Sequence, residues 1–151
     1  MTDTKRFDGK LALVTGSSRG IGAATAKALA AQGAHVILTG RDVKALEAVE
    51  DEIHAIGGNS TIAPVDMTEA AYLPALTPVT QIDQKQFSQA ITVNLLATQA
   101  FLAAFDPLLK RAEQGRVIGL TSSVGATARP YWAAYGTTKA AFDSLLESYA
   151  Q

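Results

Sequence analysis

The chain has 151 residues, 48% of them hydrophobic and 18% charged, and its net charge is −1 at neutral pH. Those values suit one soluble domain able to bury a core, while the mixed charge offers no basic stripe for nucleic acid and no polybasic membrane segment. There is no cysteine, which excludes disulfides and thiolate metal sites and is compatible with a cytoplasmic setting.

Met1 to Asp8 is charged and lacks a signal-peptide core. The longest apolar stretches carry polar breaks and read as too short to span a bilayer. Leu11, Ala12, Leu13 and Val14 form a short buried-strand run, followed by Thr15-Gly16-Ser17-Ser18-Arg19-Gly20-Ile21-Gly22 and then by helical spacing. A turn that carries a diphosphate on a helix N-terminus needs residues without Cβ wherever backbone meets ligand or helix meets strand. Gly16, Gly20 and Gly22 supply them. No Lys-Ser/Thr pair follows, so the phosphate loop of nucleotide triphosphatases is excluded. Taken alone, the turn also fits a plain strand-to-helix connection with no ligand.

Ile21, Ala24, Ala28 and Leu29 fall on one helical face, and Gly33 is a natural stop. Val36, Ile37 and Leu38 make a second strand that ends at Thr39-Gly40-Arg41. Asp42 suits an N-cap, and Val43, Leu46, Val49, Ile53 and Ile56 follow at helical spacing up to Gly57-Gly58. Residues 61–65 give a third strand, closed by Asp66. His35 and His54, at a strand start and on a helix, read as solvated residues with no metal. Strand and helix alternating at about 30 residues per unit predict an α/β fold, a doubly wound parallel sheet with helices on both faces.

From Asp66 the regularity fails. Met67-Thr68-Glu69 looks like a helix start, yet it runs at once into Ala70-Ala71-Tyr72-Leu73-Pro74. Order resumes at Asp83-Gln84-Lys85-Gln86, a capping pattern, and a mostly apolar helical stretch covers 87–115, interrupted at Pro107. Residues 116–120 read as a fourth strand ended by Thr121-Ser122-Ser123, 124–130 as a loop, and 135–149 as a final helix.

Thr15, Asp66 and Ser122 fall where the carboxyl edge of a parallel sheet binds ligands. Tyr135 and Lys139, four apart, share a helical face, so the ammonium can ease ionisation of a phenol otherwise too weak an acid near neutral pH. Ser122 stands 13 residues before the tyrosine, across a loop that can fold back. Each feature has an ordinary reading: a solvated helix face, a loop or cap serine, and, for Asn94 within its apolar run, a polar residue that bends a helix.

Together they resemble the short-chain dehydrogenase/reductase family, through Thr15-Gly16-x-x-x-Gly20-Ile21-Gly22, Asp66, Val93-Asn94-Leu95, Ser122-Ser123 and Tyr135-Gly136-Thr137-Thr138-Lys139. The resemblance implies a Rossmann fold that binds a nicotinamide cofactor through Gly16, Ser18, Arg19, Gly20, Ile21, Gly22, Arg41, Asp66, Tyr135 and Lys139. It implies that Tyr135 exchanges a proton with the substrate oxygen while Ser122 holds that oxygen, with Ser123 as the rival serine. Lys139 would lower the tyrosine pKa and bind the nicotinamide ribose, Asn94 would fix a water, and Asp66 would contact the adenine.

An NAD-selecting enzyme places a carboxylate at the end of strand two; here Gly40 and Arg41 stand there, and Arg19 adds a second guanidinium. NADP(H) is therefore the expected cofactor, with NAD(H) second. The expected partners are a small carbonyl or alcohol substrate and copies of the chain in a homodimer or homotetramer. Tyr131 and Trp132 fit either the cleft or packing beside Pro130. A sugar-nucleotide epimerase shares Tyr-x-x-x-Lys but is disfavoured by the glycine spacing and short loops.

The family has a further helix and strand between the matches to Asp66 and Asn94, and continues beyond the final helix with another strand, a substrate lid and an edge strand. Here only Ala70-Ala71 stands for the inner pair. Without that strand, strands one and four would face each other across roughly 10 Å. The expectation is a partial domain over 1–151 with an internal gap near Glu69-Ala70, marked by a Cα step far above the about 3.8 Å of a trans peptide. The alternative is an inactive nucleotide-binding fragment or splice product of such an enzyme.

Overall fold

The computed structural model describes residues 5–65 and 74–151, which fall in two compact units, Met1–Met67 and Thr68–Gln151. Asp66 and the expected gap at Glu69-Ala70 lie outside the described residues.

In the first unit β1 (Leu11–Val14), β2 (His35–Leu38) and β3 (Asn59–Ile62) form a parallel sheet in the order β1-β2-β3, joined by α1 (Gly20–Ala31) and α2 (Val43–Ala55). Leu11 pairs with His35 and His35 with Asn59, so the three strands start level and their carboxyl ends align. β3 begins before the expected residue 61 because Asn59 and Ser60 pair with His35 and Val36. Past its end, the amides of Ala63 and Val65 still donate to Leu38 and Gly40 at 2.9 and 3.2 Å.

The core is made by Val36, Leu38, Leu46 and Ile53, all without exposed surface, and by the buried alanines of α1, Ala23, Ala26 and Ala30. Small residues on α1 let the helix lie close. A Cβ on Gly58 would stand 3.0 Å from that of Ala30. Asp42 caps α2 by accepting from the Ala45 amide at 3.1 Å, as its position predicts. Lys27 of α1 pairs with Glu52 of α2 at 2.6 Å.

The second unit is helical among its described residues. A 3-10 turn (Val79–Gln81) leads to α3 (Gln84–Ile91), a π turn (Thr92–Leu96) and α4 (Ala97–Arg111), followed by α5 (Ser123–Ala126) and α6 (Ala133–Tyr149). Asp83 caps α3, accepting from Gln86 at 2.8 Å.

Five expectations need correction here. Pro107 sits inside α4 without ending it, since only one helical bond is lost and the next turn closes with Ala112 N–H donating to Leu108 O at 3.1 Å. Gln84–Arg111 forms 28 continuous helical residues, long and apolar enough to cross a membrane by length and composition alone, so the apolar stretches are not too short. The expected loop at 124–130 opens with α5, and the final helix starts at Ala133 rather than Tyr135.

The fifth difference is the strand expected at 116–120, which forms no ladder among the described residues. Its apolar residues suit a strand, but a strand needs partner backbone. Ile118 is left 89% exposed and Leu120 61%. Gly119 instead lies against α6, where a Cβ would overlap Leu146 and come within 2.6 Å of the Phe142 ring.

Candidate functional site

The glycine turn stands at the carboxyl end of β1. Gly16 and Gly20 have φ of 64° and 58°, the left-handed region that glycine occupies without strain. A Cβ on either would meet nothing within 4 Å, so the turn is open on that side. Gly22 has the opposite role, with its own Cα pressed against the turn: a Cβ there would overlap the Gly16 carbonyl oxygen and stand 2.8 Å from its carbon.

The turn is anchored through Ser17. Its amide and its hydroxyl both donate to the Thr39 carbonyl, at 2.9 and 3.1 Å, tying the turn to the end of β2. Thr39 Oγ1 beneath it is buried with no hydrogen-bond partner among the described residues. Ser18 Oγ lies 3.5 Å from where a Gly40 Cβ would be, and Arg41 next to it is exposed. Arg19 occupies the N-cap of α1 in extended backbone, with no side-chain cap bond, and Ile21 is 68% exposed. Open glycines in front of an uncapped N-terminus leave N–H groups and the positive end of the helix dipole available, which is the donor set a dinucleotide diphosphate requires. The residues present therefore fit the cofactor. Hollows at the amino ends of the strands, lined by Lys5, Asp8, Gly33, His35 and Asn59, share no residue with the turn.

In the second unit, Tyr135 and Lys139 lie on α6. Lys139 Nζ donates to the Leu120 carbonyl at 2.9 Å and stands 5.9 Å from the Tyr135 ring centre and 4.8 Å from that of Phe142. Burial pushes the lysine below its usual value of 10.5, opposed by the charge of Asp143. Trp132 packs against Tyr135, ring centres 6.1 Å apart and tilted by 59°.

Two glycines bring the serine loop onto α6. A Cβ on Gly136 would stand 2.8 Å from the Val124 carbonyl oxygen, and one on Gly125 would stand 3.0 Å from the Ala140 amide. Ser122 is half-buried, extended at φ −147°, and its side chain does not cap α5; Ser123 is exposed on the first turn of that helix.

Asn94 lies in the π turn, where its backbone carbonyl accepts from Thr98 Oγ1 at 3.1 Å. Its side-chain amide reaches α6, donating to Thr138 Oγ1 at 2.9 Å. The second unit thus brings Asn94, Ser122, Tyr135 and Lys139 onto or against one helix, while the first assembles Gly16, Ser18, Arg19, Gly20, Ile21, Gly22 and Arg41 around one turn. Sequence reasoning missed Ser17 and Thr138, whose hydroxyls are both buried. A hydroxyl residue inside a motif, flanked by the residues expected to face ligand, was the available signal.

The first unit is thus a parallel α/β layer with an open glycine turn at its carboxyl edge, and the second carries Tyr135 and Lys139 on one helix. The family model for short chain dehydrogenases matches residues 10–77 and 70–151, and the chain belongs to that family. It is 30% identical to an uncharacterised oxidoreductase of Listeria monocytogenes, over 91% of this chain and 65% of that protein. It is 31% identical to the oxidoreductase asL5 of Sarocladium schorii, over 99% of this chain and 68% of the relative. That alignment runs over 173 positions against the 151 residues here, so at least 22 of them have no counterpart in this chain. A solved structure from Pseudomonas syringae, assigned as a short chain dehydrogenase, superposes with a TM-score of 0.91 at 33% identity, covering 97% of this chain and 70% of that one. The chain therefore spans about two thirds of the length of the relatives it matches.

Proposed function

We propose that this sequence carries the dinucleotide-binding and acid–base parts of an NADP(H)-dependent oxidoreductase that interconverts a carbonyl and an alcohol. The observation that carries the reading is the convergence on α6 of Tyr135, Lys139, the Ser122 loop and the Asn94 amide. Bound nicotinamide would supply or accept the hydride. Tyr135 gives its phenolic proton to the carbonyl oxygen on reduction and takes one from the alcohol on oxidation, Ser122 holds that oxygen, and Lys139 places its charge 5.9 Å from the centre of the phenol ring.

Arg41 supports NADP(H) over NAD(H), because a guanidinium pairs with a 2′-phosphate and gains little from a hydroxyl. A metagenomic short-chain oxidoreductase 33% identical to this chain was solved in complex with NADP, with a TM-score of 0.86 over 95% of this chain and 76% of that one. Fluorescence titration should show NADPH bound more tightly than NADH, and Arg41→Ala should erase most of that difference while changing NADH affinity little. NADH bound more tightly by the wild type would overturn the preference.

Between the two serines, the half-buried and extended Ser122 is the better oxygen holder. Ser122→Ala should lower kcat by about 10-fold or more, a lost charge-assisted hydrogen bond, and Ser123→Ala should not; the reverse order would transfer the role.

The second reading, an inactive nucleotide-binding fragment, is favoured by segment 116–120, which pairs with no strand among the described residues, and by the at least 22 positions without a counterpart. It agrees with an omitted helix and strand near Glu69-Ala70. Turnover of NADPH with a panel of aldehydes and ketones separates the two: oxidation by this 151-residue chain supports the enzyme, and cofactor binding with no turnover supports the fragment.

A further inference from the structure

We infer that Thr138 is a positioning residue that sets which way the Asn94 amide faces; this rests on the reading of Tyr135 and Lys139 as the acid–base pair. Thr138 is 1% exposed and stands one residue before Lys139 on α6. Its hydroxyl has one proton, and that proton is given to the Tyr135 carbonyl at 2.8 Å. Only lone pairs remain to face the π turn. Asn94 can therefore meet Thr138 Oγ1 through its NH2 group alone, at 2.9 Å, and its carbonyl oxygen is turned to the other side as an acceptor.

An asparagine in a regular helix has no such fixed partner. Here the π turn of Thr92–Leu96 widens the helix at Asn94, and Thr98 occupies its backbone carbonyl at 3.1 Å, so both ends of the residue are held. Ser17 does for the glycine turn what Thr138 does here, but its partner is backbone, which cannot flip. The threonine's donor and acceptor capacity thus passes from the tyrosine's own peptide group to Asn94, and couples the amide's orientation to the helix that carries Tyr135 and Lys139.

The test uses the full chain with 15N-labelled asparagine and reads the side-chain amide of Asn94 by NMR, a signal that needs no turnover. In the wild type its two protons should be resolved from those of solvated asparagines and exchange slowly. Thr138→Val, which keeps the shape and loses the hydroxyl, should merge them with the solvated group and speed exchange about 10-fold, as loss of one hydrogen bond implies. Thr138→Ser should restore both. Where turnover is measurable, the valine variant should lower kcat with cofactor affinity unchanged. A valine variant with the wild-type amide signature would overturn the proposal. So would a serine variant that lacks the signature, which keeps the test decisive even if the valine variant fails to fold. A silent Tyr135→Phe with an intact Thr138 effect on Asn94 would instead count against the acid–base reading alone.

Discussion

Gly22→Ala is expected to abolish measurable NADPH binding and to lower stability by about 1–3 kcal/mol, the usual cost of forcing extra volume into packed structure. The new Cβ would overlap the Gly16 carbonyl oxygen and stand 3.1 Å from the Ser17 Cα, so the neighbours that must yield are backbone. They cannot yield locally. Gly16 is held at φ 64°, and Ser17 is bonded to Thr39 O through both its amide and its hydroxyl. Relief would have to open the turn itself, which is the surface proposed for the diphosphate. Gly40→Ala is the matched control for the packing cost, because its Cβ would meet Leu46 and Ser18 at 3.5 Å, ordinary contact. Urea melts and fluorescence titration of both variants check the contrast, and a Gly22→Ala protein that binds NADPH like the wild type would show that the close approach does not matter.

The first half of the chain was the more legible because its signals are local. The glycine spacing, Asp42 as a cap and the apolar strand runs each act within a few residues, and the structure forms β1, α1, β2 and α2 where those patterns stand. Residues 116–120 show the limit of such reading. Val117, Ile118 and Leu120 have strand character in any context, but pairing is decided by what lies beside them. The π turn was hidden for a related reason: an asparagine in an apolar run is visible, whereas the buried Thr138 that receives it lies 44 residues away. Pro107 misled in the opposite direction, as a breaker signal overridden by continuous helix on both sides. The residues of α6 were assigned from motif and helical spacing. The glycine contacts that hold α5 on that helix emerged only in three dimensions.

In a turnover-competent form of the protein, Tyr135→Phe should reduce kcat by about 10²- to 10⁴-fold, the range spanned by positioned acid–base groups, while NADPH affinity and melting temperature stay near wild type. The separation follows from how Tyr135 is built in. Its ring packs against Trp132 at 6.1 Å and a phenylalanine keeps that contact. Its backbone carbonyl, which takes the Thr138 hydroxyl, is untouched by the change. Only the phenolic oxygen is lost, and no described hydrogen bond within the protein depends on it. The partner charge gives the reaction a pH dependence of known sign. Burial lowers Lys139 from 10.5, so its ammonium is complete well below that value and is lost as pH rises through the lowered pKa. Any part of the rate that depends on the ammonium should therefore decline on the alkaline side before pH 10.5, and Lys139→Arg, which stays charged, should move that decline upward. Steady-state kinetics across pH on the three proteins read both effects. A phenylalanine variant with wild-type kcat would remove Tyr135 from the chemistry and leave α6 as a helix that merely packs.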